Sequence, residues 1–500
     1  MEEKLARLKE ISEELIDLSH TASVLGWDQQ VNMPPLGAEA RGNQLSTLQR
    51  LIHVKLTTPE LGNLLDDLSG FAKDLDPDSD VARLIKVSLR EYEQAIKVPP
   101  EFTAEFAKLR SAAFNAWQEA RLNDDFLHFQ PHLKKIVQMN QQFAEYFSPY
   151  DHVYDPLLDR FEPGMKMVEV KKIFDDLRPQ QVALIQEISQ APQVDDSFLH
   201  QHFEQKKQWD FGKEVITRYG FDWKRGRLDK AAHPFTTNFS VNDVRITTRV
   251  DEGFLNSALF GTLHECGHAL YELGILKDFE RNALGGGASL ALHESQSRMY
   301  ENLVGRSLPF WEYFFPRLQE IYPEQFSDVK LPTFYKGINK VAPSLIRVEA
   351  DEATYNLHIM LRFEIEIALM DKTIAVENLP EFWNSKMEKY LGVTPPNDAL
   401  GVLQDIHWSG GMIGYFPTYA LGNLVSVQLW EKINEDLPDL GNEFRKGKFE
   451  DLREWLVENI HRHGKKFEPQ ELIKKVTGSK IDSAPYLRYL ERKFSEIYNI

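Results

Sequence analysis

From Glu2 to Leu25, apolar residues recur three and four positions apart (Leu5, Leu8, Ile11, Leu15, Leu18), the spacing that lines one face of an α-helix. The same periodicity runs through Ala38 to Leu51, Asp80 to Ile96, Pro100 to Arg121, Leu127 to Phe147 and Lys166 to Gln190. Between these stretches stand Met33-Pro34-Pro35, Asp76-Pro77, Val98-Pro99-Pro100 and Glu162-Pro163-Gly164, whose residues end helices. The pattern predicts a mainly α protein joined by short punctuations. No Ser/Gly-rich linker, low-complexity tract or internal repeat interrupts it. One stretch departs from it. Between His233 and Val250, HPFTTNFSVNDVRITTRV is rich in Thr and Val and alternates in part, with Asn242-Asp243 as a turn. It predicts a short hairpin or small sheet beside the segment that carries the chemistry.

A second departure is the run from Trp408 to Trp430, 23 positions without a charge. That is about the length of a bilayer-spanning helix. The run also contains Pro417, four glycines, Asn423 and Gln428, a polarity that suits a buried segment lining a cavity. No membrane association is expected. Composition agrees with a folded globular chain: 42% of the 500 residues are hydrophobic, enough for a large core. The single cysteine excludes an internal disulfide framework and fits a reducing compartment. The start, MEEKLARLKEISEELIDL, is charged throughout and lacks the apolar stretch of a signal peptide, so a cytoplasmic location is expected. The net charge of −18, without any block of clustered Lys and Arg, argues against a nucleic-acid partner. A solvated acidic surface accounts for it.

The chemistry concentrates in TLHECGHALYELG, residues 262 to 274. On a helix, a step of about 100° per residue puts His264 and His268 about 40° apart on one face, able to share one zinc ion. Glu265 lies to the side of the pair, where a carboxylate can reach water at the metal. Cys266 lies about 160° from either histidine and packs behind the ligand helix. A tetrahedral site takes its third protein ligand from another segment. The metzincin layout would need glycine at 271 and histidine at 274, where this chain has Tyr271 and Gly274. The other layout takes a glutamate from a later helix. Glu294, in LALHESQSRMYENLVGRS, follows His268 after 25 intervening residues, beyond a turn at Gly285-Gly286-Gly287 and a helix cap at Ser289. It is the expected third ligand.

These residues resemble the carboxypeptidase Taq family of zinc metallocarboxypeptidases. Five further motifs agree in order and spacing: His233-Pro234-Phe235; Asp243-Val-Arg245-Ile-Thr247; His293-Glu294-Ser295-Gln296; Ile346-Arg347-Val-Glu-Ala350-Asp351; and Gly401-Val-Leu-Gln404-Asp405-Ile-His407-Trp408. LGWDQQVNMPP with Arg41, and YDPLLDRFEPG, extend the similarity through the N-terminal half. The main local departure is Cys266, where the family pattern has a larger apolar residue.

The resemblance implies a large helical fold with a two-sided cleft, a small β element beside the active site, and a homodimer. Residues 1–225 would form one cleft wall, and residues 226–500 the zinc-binding catalytic half. It implies one zinc per chain on His264, His268 and Glu294, with cobalt as a possible activating substitute, and Glu265 as catalytic acid/base. The implied activity is removal of residues one at a time from peptides with a free C-terminal carboxylate. His407, Tyr415 and Tyr419 are the group expected to stabilise the oxyanion. For the substrate carboxylate, Arg347 and then Arg245 are the candidates, because a guanidinium pairs bidentately with carboxylate. The competing assignment for each is a structural carboxylate such as Asp351 or Asp243. Gln404 and Asp405 read as orienting residues, and His233 as either a substrate contact or a structural residue before Pro234. An oligoendopeptidase of the helical gluzincin type is the alternative, and a catalytically dead metal-retaining binding protein a more distant one.

Overall fold

Helices form where the apolar spacing places them, and each runs on until a breaker. A computed structural model describes all residues from Met1 to Ile500, 67% of them helical. Helix α1 (Glu2–Val31) extends past the periodic stretch and stops just before Met33-Pro34-Pro35, where the residue ahead of a proline is driven out of the α region. Helix α2 (Asp80–Lys97) starts at Ser79, whose hydroxyl accepts from the Ala82 amide at 3.3 Å, and ends before Pro99. Helix α3 (Pro100–Asn123) then begins on a proline that needs no amide partner in the first turn. The helices Ala38–Leu56, Phe126–Glu145 and Met167–Gln190 match the remaining expectations to within a few residues. A helix at Pro59–Ala72, capped by Thr58, was not among them.

The Thr/Val-rich stretch forms β2 (Thr236–Ser240) and β3 (Asp243–Thr248), paired antiparallel across the Asn242-Asp243 corner. A further strand precedes them: β1 (Gly226–Lys230) pairs parallel with β3, giving the order β1-β3-β2. Its sequence, GRLDK, has neither β-branched residues nor clean alternation, so it had no signal of its own. Val244 and Ile246 of β3 are fully buried and seat the sheet against the next helix.

That helix is α4 (Leu255–Gly274), followed by α5 (Leu290–Arg298), α6 (Tyr355–Met370) and α7 (Pro417–Asp436). The uncharged run divides into a glycine-containing loop, buried at Gly411 and Gly414, and the first part of α7. No helix is long and apolar enough to cross a membrane. The main hydrophobic core is continuous from Ala113 to Tyr498. A smaller one joins Leu8, Leu61, Leu65, Leu84 and Ile85 of the N-terminal helices to Val241, Phe279 and Leu284 beside the sheet.

Two glycines let α4, α5 and α7 approach closely. A Cβ at Gly267 would stand 2.6 Å from the backbone of Gln296 and Ser297, and one at Gly422 would stand 2.7 Å from Cβ and Cγ of Glu294. Neither clash can be relieved by a flexible side-chain tip. Tight packing at these points brings residues from three helices to one site.

Candidate metal centre

Helix α4 is buried over most of its surface, with Leu259, Leu263, Cys266 and Leu270 in the core and its polar residues gathered on one stripe. His264 and His268 follow one another along that stripe, their ring centroids 4.9 Å apart. Helix α5 supplies Glu294. Its start is held by Ser289, whose hydroxyl accepts from the Leu292 amide at 3.1 Å, and by the buried carboxyl of Glu162, which accepts from the Ala291 amide at 3.2 Å. Burial pushes the Glu162 carboxyl up to about 7.

Nε2 of His264 and Nε2 of His268 lie 3.7 and 3.5 Å from Oε2 of Glu294. The three ligand atoms fall within 4.8 Å of one another. Two imidazole nitrogens and one carboxylate oxygen converging at these distances are a donor set suited to a divalent metal ion. The residues present therefore fit a metal.

The outer ring nitrogens explain why the inner ones carry lone pairs. Nδ1 of His264 is 2.9 Å from Glu301, so its proton points at that carboxylate and Nε2 is left free. Glu301 sits on a π-helical turn, Met299–Val304, that continues α5. Nδ1 of His268 lies 2.6 Å from Nδ1 of His293, and Nε2 of His293 lies 2.8 Å from Glu272, which also accepts from the Asn238 amide at 2.7 Å. The chain Asn238–Glu272–His293–His268 thus orders its protons outward from the metal side, each imidazole donating to the next acceptor.

The electrostatics favour ionised carboxylates here. Burial raises Glu294, but Arg298 and His264 outweigh it and hold it well below the usual glutamate range. Glu301, opposed by burial but beside Arg298 and His264, is held at about 2. Burial brings His268 down to about 3, so its imidazole is neutral. Replacing Glu301 or His293 by glutamine is expected to weaken metal binding about 10–100-fold by loosening these rings. Competition with a fluorescent chelator measures it, and wild-type affinity in both variants would contradict the assigned support.

Glu265 is 6% exposed and lies outside the ligand triad. The Thr236 hydroxyl, on β2, donates to its Oε2 at 2.7 Å. Burial raises its pKa. The small sheet thereby borders the site, as its position ahead of α4 suggested. Cys266 is fully buried, with its thiol pushed up by burial, and faces Tyr219 and Tyr300 in the core.

His407, Tyr415 and Tyr419 form an aromatic group: the His407 ring is 5.3 Å from Tyr415 and 6.1 Å from Tyr419, and the two tyrosines are 5.3 Å apart. Nε2 of His407 is 3.2 Å from the Tyr419 hydroxyl. Burial lowers His407 to about 3, so the ring is neutral. Glu366 of α6 pins the loop between them, accepting from Trp408 Nε1 at 2.9 Å and the Gly414 amide at 3.0 Å. Tyr419 lies one turn before Gly422, the position that touches Glu294, which brings both tyrosines near that carboxylate.

The arginines sit differently from one another. Arg347 is 4% exposed, and its fork is engaged by Asp405 Oδ1 at 2.8 and 3.1 Å and by the Tyr355 hydroxyl at 2.9 Å. Asp405 is also bound by Arg362 and lies 3.7 Å from Nδ1 of His407. The carboxylate on Arg347 is thus Asp405, while Asp351 accepts from the backbone amides of Ala342, Ala353 and Thr354. Arg245 pairs with Asp243 through Nε and Nη2, both at 2.9 Å, and stacks on Trp27 of α1 and on Phe239. Its Nη1 makes no hydrogen bond. His233 is exposed at the entry to β2, and the structure gives it no hydrogen-bond partner.

Sequence reasoning did not single out Glu301, Asn238, Arg298 or the role of His293. Glu301 had a usable signal, since it stands seven positions after Glu294 on the same helical face. Asn238 had none, because its partner Glu272 is reached only through sheet–helix packing.

Comparison with known proteins places this arrangement. The family model described as carboxypeptidase Taq (M32) metallopeptidase matches residues 7–494. Thermostable carboxypeptidase 1 of Thermus thermophilus is 41% identical over 98% of this chain and 98% of its own length. Carboxypeptidase 1 of Bacillus subtilis is 39% identical over 96% of each. The crystal structure of an M32 carboxypeptidase from Deinococcus radiodurans superposes with a TM-score of 0.97 at 40% identity, covering 99% of this chain and all of that one.

Proposed function

The chain belongs to the carboxypeptidase Taq (M32) family and is a metallocarboxypeptidase, and from that premise we propose that it removes C-terminal residues one at a time with zinc on His264, His268 and Glu294 and proton transfer by Glu265. The observation that carries this reading is the convergence of two imidazole Nε2 atoms on Glu294 beside a buried carboxylate that ligates nothing. When bound, the ion serves as a Lewis acid that lowers the pKa of a water and polarises the scissile carbonyl. Two imidazoles and a carboxylate suit zinc and cobalt alike, and zinc is the assignment made here.

Glu265 accepts a proton from the attacking water and returns it to the leaving amine. The Thr236 hydroxyl holds one of its oxygens, so the other faces the reaction. With the His407 proton on Nε2, the ring donates to the Tyr419 oxygen and leaves that hydroxyl's own proton free for the substrate. Tyr415 and Tyr419, steadied by His407, are the donors assigned to the carbonyl oxygen as charge builds on it. Arg347 holds Asp405 and thereby the His407 ring. Arg245, with its uncommitted Nη1, and His233 are the assignments for the substrate's C-terminal carboxylate. Residues 1–225 and 226–500 serve as the two cleft walls of a cytoplasmic homodimer in this reading.

Peptides that differ only in carrying a C-terminal acid or amide test it. The free acid should be hydrolysed at least about tenfold faster, the worth of one charge-assisted hydrogen bond to a carboxylate. Equal rates would replace this reading by the oligoendopeptidase one.

A further inference from the structure

Both arginines expected to receive a substrate carboxylate already hold an aspartate, whereas two others beside the cleft hold none. Arg160 and Arg110 form no ion pair and no hydrogen bond, and no acidic side chain acts on either. They rest on a connected aromatic bed. The Arg110 guanidinium stands 5.4 Å from the Phe106 ring and that of Arg160 4.9 Å from Phe143, with Phe102 between the two rings at 5.7 and 6.4 Å. Arg160 also lies 5.2 Å from Phe161, whose ring meets Tyr415 edge-on at 5.1 Å. The Arg110 side chain comes within 3.3 Å of the space above Gly411, in the loop that carries His407.

Arg160 and Phe161 line a cavity of about 490 Å³, which Glu272 and His293 reach from behind His268. The other cations of that cavity are matched by acids, for example Arg83 by Glu471 and Arg90 by Asp159. Arg160 is the exception. Both guanidiniums are exposed, and each has a second cation beside it where the neighbouring cations have an acid, so positive charge accumulates at this rim. Partial desolvation against the aromatic rings and then Arg110 bring Arg160 down to about 10, so it remains a cation at neutral pH. Stacking on aromatic faces leaves the planar fork open.

We propose that Arg160, with Arg110 beside it, is a receptor in the cleft for a carboxylate of the bound peptide, either an acidic side chain or the chain terminus. The proposal rests on the cleft beside Tyr415 being the peptide site. It sets a local preference for anionic substrate against the net charge of −18. The aromatic bed and both arginines come from the N-terminal half, so that wall would contribute specificity while the opposite one contributes chemistry.

The test uses the metal-loaded enzyme and N-blocked peptides of one sequence, with Glu or Gln placed in turn at each position near the C-terminus. At one position the wild type should prefer Glu over Gln by about tenfold in kcat/KM, the worth of a charge-assisted hydrogen bond. Arg160→Gln should bring that ratio close to one, Arg160→Lys should keep part of it, and added salt should shrink it in the wild type. Lys108→Gln, an exposed cation on α3 outside the cavity, should keep the wild-type ratio. If the terminus is the ligand, Arg160→Gln instead raises KM by a similar factor for every peptide, whatever its side chains, and Arg160→Lys recovers part. Ratios and KM values in Arg160→Gln equal to those of Lys108→Gln would overturn the proposal. Mass-spectrometric release of single C-terminal residues from the Gln peptides reports separately on the carboxypeptidase reading.

Discussion

Replacing Glu265 by glutamine should lower kcat by about 10²–10⁴-fold, the usual contribution of a general acid–base group, with metal content kept at the wild-type level. Two features make the substitution selective. Glu265 stands outside the three-atom ligand cluster, so its charge is not needed to hold the ion. Glutamine keeps the shape and can still accept from the Thr236 hydroxyl, so the interface between β2 and α4 survives. What it loses is a site that can take up a proton. Elemental analysis alongside kcat separates this from metal loss: full occupancy with hydrolysis within tenfold of wild type would exclude Glu265 as the proton carrier. Glu265→Asp supplies the complementary comparison, since it retains the carboxylate and withdraws it by one methylene.

The second large effect is on stability. Asp405 holds two buried guanidiniums, accepting from Arg347 Nε and Nη2 on one oxygen and from Arg362 Nε at 2.7 Å on the other. Arg362 is fully buried and is otherwise satisfied by the His358 carbonyl and Gln404. Asp405→Asn leaves two buried cations without a counter-ion, and breaking a buried ion pair on one side costs about 3–5 kcal/mol. Chemical denaturation at neutral pH reads this directly, and a loss below about 1 kcal/mol would show the cluster to be solvated. The pH dependence has a definite sign. Burial raises the Asp405 carboxyl, but Arg347 and Arg362 outweigh it and hold it far below the usual carboxylate range. A carboxyl lowered on folding stabilises fully above its unfolded pKa, about 3.9, and loses that stability as the pH falls through the folded value. The gap between wild type and variant should be flat from pH 5 upward and narrow only below about 4. Because Asp405 also faces Nδ1 of His407, the same variant should lose activity through a displaced Tyr419.

How far the site was readable follows from which side chains depend on local geometry. His264, Glu265 and His268 are related by one turn of one helix, so their mutual placement is a property of the chain itself. The cap at Ser289 and the helix carrying Glu294 are equally local, and the turn before them matches the glycine run, with Gly286 at φ 87°. Cys266 was placed in the core by the same wheel, and it is fully buried. The charged partners were not readable in this way. Arg347 had Asp351 as its nearest sequence candidate but pairs with Asp405, 58 positions away. Arg245 is the exception: it pairs with Asp243, the carboxylate its own motif offered, because residues i and i+2 lie on one face of a strand.

The amino-acid sequence by itself determined most helices of the N-terminal half and their ends, the hairpin, the three-residue spacing of one pentapeptide, and the family. Each of these is written in periodicity, in a breaker or in a spaced motif, and none needs to know where another helix lies. Tertiary structure alone decided that Arg347 is consumed by Asp405 while Arg160 and Arg110 stay open, how His293 and Glu301 brace the histidines, and how His407 and the tyrosines come near Glu294. Those outcomes turn on packing at Gly267 and Gly422, where the missing Cβ lets three helices close to backbone contact. A charge meets its partner only after that approach has been made, and the free energy of pairing varies steeply over the few ångströms it settles.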